Sequence, residues 1–241
     1  MCAEAVRAAQ TAAALLRELR QQADPEVAAS SQRFFKTAPG QYGAGDRFLG
    51  LRVPQLRKAA KAYAGLEQAQ LLHALRSPWH EVRLCALLVM VAQFERGDAN
   101  KQRALYRTYL ANIDFVNGWD LVDTSAPAIV GGYLCHRSHR PLYKLIRSMN
   151  LWQRRIALLA TFTFIRLGDF STTLALAQQV LDDEEDLIHK AAGWMLREVG
   201  LRNRAAVTAF LDRFANQMPR TMLRYSIERF PDRLRRHYLA R

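Results

Sequence analysis

What most constrains this chain is that helical segments open at nearly regular intervals along it. Apolar residues return at helical spacing almost throughout, as in Leu84, Leu87, Leu88 and Val91, or Ile156, Leu159 and Ala160. No segment alternates apolar and polar residues as a half-buried strand would, and no hairpin turn joins two such runs. The fold class read from this pattern is all-α. Punctuating residues divide the chain into short helices, opened at Ser77-Pro78, Asn117, Asn150, Asp182 or Asp183, and Met218-Pro219. A short polar side chain there accepts from the unpaired N–H groups of a first turn, and proline loses nothing at that position. Second helices lie between them, near 66–76, 99–112, 139–149, 170–182 and 203–216, joined by short loops that make consecutive helices antiparallel neighbours.

The five opened helices align on Arg83, Asp123, Arg155, Lys190 and Arg224, at successive separations of 40, 32, 35 and 34 residues. Such intervals belong to two-helix repeats of the HEAT kind. The expected architecture is therefore a right-handed α-solenoid of HEAT-like repeats with a concave basic groove. It forms one repeat domain over residues 1–241, less regular over 1–64 and built of five helix pairs over 66–230. A solenoid sets equivalent residues of successive repeats side by side on its concave face. Four of the five positions are basic, so the row is suited to follow a phosphate backbone. The competing reading is that these cations, Arg83 and Arg224 in particular, bond to neighbouring repeats. That reading does not explain a carboxylate in the row.

The balance of charge agrees with a polyanionic partner. Thirty-five Lys and Arg against 22 Asp and Glu give a net charge of +13 and a pI near 10.2, which favours nucleic acid first and an anionic membrane surface second. Arginine dominates the basic set, and its planar fork suits phosphate oxygens. Cys2, Cys85 and Cys135 are odd in number and widely spaced, which suits a reducing cytoplasmic location better than a disulfide framework. Met1–Gln22 reads as an amphipathic helix and not as a signal peptide, and no apolar run has the length of a membrane span. The connector Gly40-Gln41-Tyr42-Gly43-Ala44-Gly45-Asp46 lacks the Lys-Ser/Thr end of a phosphate-binding loop and reads as a turn. Cys135, His136 and His139 lie close together, but Arg137 and Arg140 beside them would repel a cation, so no metal site is expected. The acidic run 182–186 is explained by its place at a helix start.

Trp119 and Asp123 are four residues apart, one turn along one helical face. Trp194, four residues after Lys190, belongs to a helix two repeats on and is expected to point toward the same groove. Each tryptophan alone reads more readily as core packing, and Asp123 alone competes as a salt-bridge partner for Arg83 or Arg155. Together they make an anion between aromatic faces inside a cationic trough. That set offers no strong nucleophile, but it stabilises positive charge. A sugar that becomes oxocarbenium-like in its transition state is such a charge. A purine alkylated at N3 or N7 already carries its positive charge and leaves without an acid.

The motifs Phe48-Leu49-Gly50, Trp119-Asp120-Leu121-Val122-Asp123, Trp152-Gln153-Arg154-Arg155 and Lys190-Ala191-Ala192-Gly193-Trp194-Met195-Leu196-Arg197-Glu198 resemble those of the AlkD-like DNA alkylation repair family of HEAT-repeat DNA glycosylases, from about Arg33 to about Arg229. The resemblance implies excision of cationic N3- and N7-alkylated purines from duplex DNA, without the base flipping most glycosylases use. It assigns Asp123 as the catalytic carboxylate, Trp119 and Trp194 to the sugar and backbone of the lesion, and Arg155 to a phosphate. Arg154 beside it, with Arg83, Lys190 and Arg224 of the row, completes the expected DNA contacts. It also places an aromatic early in the domain, which Phe34 or Phe35 fills here without a hydroxyl. No cofactor is implied, the partner is duplex DNA with no membrane, and a monomer is expected. The rival is a non-enzymatic HEAT-repeat module binding DNA or a protein. A pure phosphate-binding surface gains nothing from Asp123, and a protein scaffold would show apolar patches in place of the cationic row.

Overall fold

The computed structural model of the chain describes residues 10–240. No strand occurs among them, and their one β-type contact is an isolated bridge between Arg47 and Trp79. The fold is all-helical, as the apolar spacing requires. The first part of the expected N-terminal helix, with Cys2, lies outside the described residues. None of the described helices is long and apolar enough to cross a membrane. The chain divides into two compact units, Met1–Ser125 and Ala126–Arg241.

The first unit holds α1 (Ala12–Gln21), α2 (Pro25–Phe34), α3 (Val53–Ala62), α4 (Gln68–Leu75), α5 (His80–Arg96), α6 (Ala99–Ala111), a 3-10 turn (Ile113–Phe115) and α7 (Trp119–Ala126), whose last residue opens the second unit. Its centre is α5, against which α1, α3, α4 and α6 all pack. Accordingly α5 is apolar on nearly every side, with Val82, Cys85, Leu87, Val89 and Met90 all buried, the pattern of a helix enclosed by others. Asp24 caps α2 through the N–H groups of Glu26 and Val27, and Asp98 caps α6 through that of Lys101.

The second unit begins with a π turn (Pro127–Gly131), where Pro127 supplies no N–H and its carbonyl accepts from Thr163 Oγ1 at 2.6 Å. There follow α8 (Gly132–Leu134), α9 (Arg140–Leu145), α10 (Leu151–Arg166), α11 (Ser171–Gln178), α12 (Asp186–Arg202), α13 (Arg204–Phe214), α14 (Arg220–Ser226) and α15 (Asp232–Leu239). Here α10, α12 and α14 pack in succession. The shorter helices fill in beside them: α9 lies on α10, α11 on both α10 and α12, and α13 on α12.

The expected helix starts hold at Asn150, which accepts from Trp152 and Gln153 N–H, and at Pro219, which immediately precedes α14. Others shift inward. Ser77 Oγ accepts from Trp79 N–H at 3.2 Å and Asp183 Oδ1 from Glu185 N–H at 3.0 Å, so each shapes a turn just ahead of a helix that begins at His80 or Asp186. Similarly, α7 begins at Trp119, two residues after Asn117. Two second helices, α9 and α11, stop short of their expected ends, at Leu145 and Gln178.

Candidate functional site

Trp119 opens α7 and Asp123 follows one turn later, both half-buried. The Trp119 indole is set by aromatic rings from the end of α2. Phe35 stacks on it at 5.3 Å with planes 14° apart, and Phe34 meets it edge-on at 5.9 Å. Phe35 stacks in turn on Phe48 at 5.1 Å. The two phenylalanines between which the sequence left the choice open stand in different environments. Phe35 stacks on the indole, whereas Phe34 is 66% exposed. Lys36, with φ 52°, then turns the chain away from the rings.

Asp123 is engaged within the protein, and its charge is felt at Tyr109. Burial above all, with the Asp123 carboxylate adding to it, pushes the Tyr109 phenol well above its usual range. Ser125 gives its hydroxyl proton to the Leu121 carbonyl at 2.6 Å, which leaves Ser125 Oγ to accept from Tyr109 at 3.0 Å. The phenol under Asp123 is therefore a neutral donor, and no second anion competes with the carboxylate from that side.

Behind the aromatic rings lies a charged cluster absent from the sequence expectations. His80, buried at the start of α5, has its Nδ1 2.7 Å from Asp46 and its Nε2 2.8 Å from Asp120, the residue after Trp119. Arg83 donates through Nη2 to both Asp46 oxygens at 2.9 Å and through Nη1 to the Ser77 carbonyl. Burial alone would push the His80 pKa down, but hydrogen bonds and charges from Asp120 and Asp46 outweigh it and raise the value to about 9. Burial likewise opposes ionisation of Asp46, and its bonds to His80 and Arg83 still hold it below the usual carboxylate range. The neighbouring Glu81 is buried too. It accepts backbone N–H bonds from Leu49, Gly50 and Leu51 at 2.8 to 3.2 Å, fixing the strand-like loop 46–51 on the first turn of α5.

His80 thus links stability to pH. A folded-state pKa of about 9 against 6.5 for a free imidazole in water means the folded state binds the proton more tightly. The stabilisation is complete below pH 6.5 and disappears as pH rises through 9, a pH-dependent part of about 3 kcal/mol. The lowered Asp46 works in the opposite direction and loses its contribution only under acid conditions, below the ordinary carboxylate pKa of 3.8. Thermal melts of wild type and His80→Gln are expected to differ most near pH 6 and to converge toward pH 9.5. A difference that stays constant over that range would show that His80 is neutral in the folded protein.

The basic row shares a register but not an environment. Arg83 is 4% exposed and bonded to Asp46 and Ser77, an ion pair inside the first unit. Arg155 is equally buried at 4%, and it donates to the Leu187 carbonyl. Arg154 is half-buried, donating to the Ser148 and Met149 carbonyls and pairing with Asp183 at 2.7 Å. Lys190 is half-exposed, 2.7 Å from Asp186 one turn earlier, and Arg224 is exposed. Trp194 is half-buried in α12, with its ring beside Phe162 and its Nε1–H donating to Glu198 at 3.2 Å. The motif also contains Arg197, which pairs with Glu228 of α14's flank. His139, weighed above as a metal ligand, hydrogen-bonds Thr172 Oγ1 at 2.7 Å and stacks on Phe164.

Residues 15–230 match a family model described as DNA alkylation repair enzyme. Among solved structures, the fold is similar to that of a predicted DNA alkylation repair enzyme from Enterococcus faecalis, with a TM-score of 0.67 and 17% identity over 87% of this chain and 97% of the other. No curated protein matches the chain.

Proposed function

Because this chain belongs to the DNA alkylation repair enzyme family, we propose that it is a DNA glycosylase that excises cationic N3- and N7-alkylated purines from duplex DNA, the first step of base excision repair. The observation that carries the reading is Asp123, a carboxylate one turn from an indole held in a phenylalanine stack, on a chain of net charge +13. The C1′–N bond breaks and its electron pair neutralises the departing base, which needs no acid. The deoxyribose becomes oxocarbenium-like and is stabilised by the Asp123 carboxylate. Water then bonds to C1′ and gives up a proton, leaving an abasic site.

Trp119 presents its face beside the cationic sugar, and Trp194, its N–H directed to Glu198, offers its ring to the DNA backbone. Phe34 adds an exposed apolar edge for the lesion strand. Lys190 and Arg224 reach solvent and serve as the phosphate contacts. Arg155 and Arg154 join them as proposed phosphate contacts, while Arg83 also holds Asp46. We read the succession of α10, α12 and α14 with their shorter partners as HEAT-like repeats.

The test is release of free base from duplex DNA carrying N7-methylguanine or N3-methyladenine, with undamaged duplex as control. Release of the alkylated base alone is expected, leaving sites cleaved by mild alkali. Tight binding of the same duplexes with no base released would favour a non-enzymatic DNA-binding module.

A further inference from the structure

We propose that His80 is the positioning residue of this site: its ring joins Asp46 of the glycine-rich connector to Asp120 on the first turn of α7, and so sets where the Trp119 indole and the Asp123 carboxylate stand. The inference rests on the reading of those two residues as site residues.

The first turn of a helix is its least secured part, because its N–H groups have no intrahelical acceptors. In α7 that turn begins with Trp119 and Asp120. Two devices hold it. One is the ring stack, in which Phe35 stacks on both Trp119 and Phe48. The second is the His80–Asp120 bond of 2.8 Å. The two converge, since the His80 ring itself lies 4.6 Å from Phe48 and 4.9 Å from Phe35. Gly118 makes room for the bond: a Cβ there would stand 3.1 Å from both Asp120 Oδ1 and His80 Cε1.

The groups facing His80 explain why a protonated ring is needed. Asp46 faces it from the connector, Asp120 from α7, and the uncharged rings of Phe35 and Phe48 from the end of α2 and the loop after the connector. On its own helix, Arg83 is turned to Asp46 and Glu81 to the amides of 49–51. Two carboxylates accept and neither donates, so only a ring with both N–H groups satisfies both. Asp46 has Arg83 as a second partner, whereas Asp120 Oδ1 is buried with none. A neutral ring donates to one carboxylate and turns a lone pair to the other. Whichever bond is lost, the connector and α7 are no longer tied. The raised pKa of His80 keeps the tie closed at neutral pH.

The experiment labels the four tryptophans with 5-fluorotryptophan, assigns each ¹⁹F resonance by Trp→Phe substitution, and follows them from pH 7 to 9.8. The Trp119 resonance is expected to shift with a midpoint near pH 9, and Trp152 and Trp194 serve as references. In Asp120→Asn the midpoint is expected to fall by at least about one pH unit, and in His80→Gln the shift is expected to vanish. In parallel, single-turnover base release by Asp120→Asn at pH 7.5 is expected to drop about tenfold, with the duplex Kd unchanged within about twofold, as for misplacement of a reacting group without loss of binding. A Trp119 resonance that stays flat in folded wild type, or a full excision rate in Asp120→Asn, would overturn the proposal. If wild type releases no base at all, the glycosylase reading fails, and the fluorine titration still decides whether His80 holds Trp119.

Discussion

Asp123→Asn is expected to lower the single-turnover rate of base release by about a hundredfold or more, with the Kd for alkylated duplex changed by no more than about threefold. The substitution keeps the shape of the side chain and removes its charge. The substrate's own cation is on the base and is present before reaction, so it contributes to ground-state binding. The cation that Asp123 is assigned to stabilise, on the sugar, exists only as the C1′–N bond breaks. An interaction made only in the transition state appears in the rate and not in the affinity. Half-burial strengthens the effect, because the carboxylate acts through less water than a surface group would. Tyr109, which feels the charge of Asp123, is neutral and donates to Ser125, so it supplies no anion in place of the lost charge, and the Asp120 carboxylate is committed to His80. Asp123 also has interactions inside the protein, and melting temperatures are measured alongside the rates to separate a weakened fold from a slowed reaction. A stable Asp123→Asn protein with the full excision rate would reduce the carboxylate to its structural partners and remove it from the chemistry.

The register of the basic row was legible in the sequence, whereas its exposure was not. Asp123, Arg155, Lys190 and Arg224 each stand at the fifth position of their helix and Arg83 at the fourth, as alignment of the helix starts requires. What decides whether such a cation meets solvent is a partner supplied by distant chain. For Arg83 it is Asp46, 37 residues earlier, and for Arg155 the Leu187 carbonyl, 32 residues later. Neither pairing leaves a periodic signal. The same holds for His80, whose two carboxylates come from 34 residues before and 40 after. Asp120 was visible within the tryptophan motif, but only its geometry separates it from Asp123: it bonds back to α5, one residue from the indole it helps to hold. Phe34 and Phe35 differ because α2 ends between them, a boundary that sequence places only to within a residue or two. The displaced starts at Ser77 and Asp183 share a cause. A polar side chain that bonds the N–H two residues on makes a turn that resembles a cap in sequence.

Gly50→Ala is expected to be the most destabilising single-methyl change in the first unit, costing about 3–5 kcal/mol and lowering Tm by roughly 10 °C. Gly50 has φ +86°, where a side chain is strained by itself. The larger penalty is steric. A Cβ would lie 2.0 Å from the Asp24 carbonyl oxygen and 2.6 Å from the Ala28 nitrogen, both backbone atoms. Those two atoms form the first hydrogen bond of α2, at 2.9 Å, so they cannot part without opening the helix. Gly50 cannot retreat either, because its own N–H is held by Glu81 at 2.8 Å and the preceding Leu49 carbonyl accepts from Asp24 N–H at 3.0 Å. The displaced element would be α2, and α2 carries Phe34 and Phe35 to Trp119. The change therefore reaches the candidate site through the ring stack, and base release is expected to fall by more than the folded fraction does. Gly45→Ala is the control: its φ is +82°, but nothing lies within 4 Å of the added methyl, so it carries the backbone strain alone, about 1–2 kcal/mol. Urea unfolding of the two variants separates the contributions. Equal losses would mean that left-handed strain is the whole effect and that the close approach of Gly50 to α2 relaxes at no cost. A Gly50→Ala loss two to three times larger, accompanied by a changed Trp119 environment, places the cost in the latch that joins Glu81, loop 46–51 and α2.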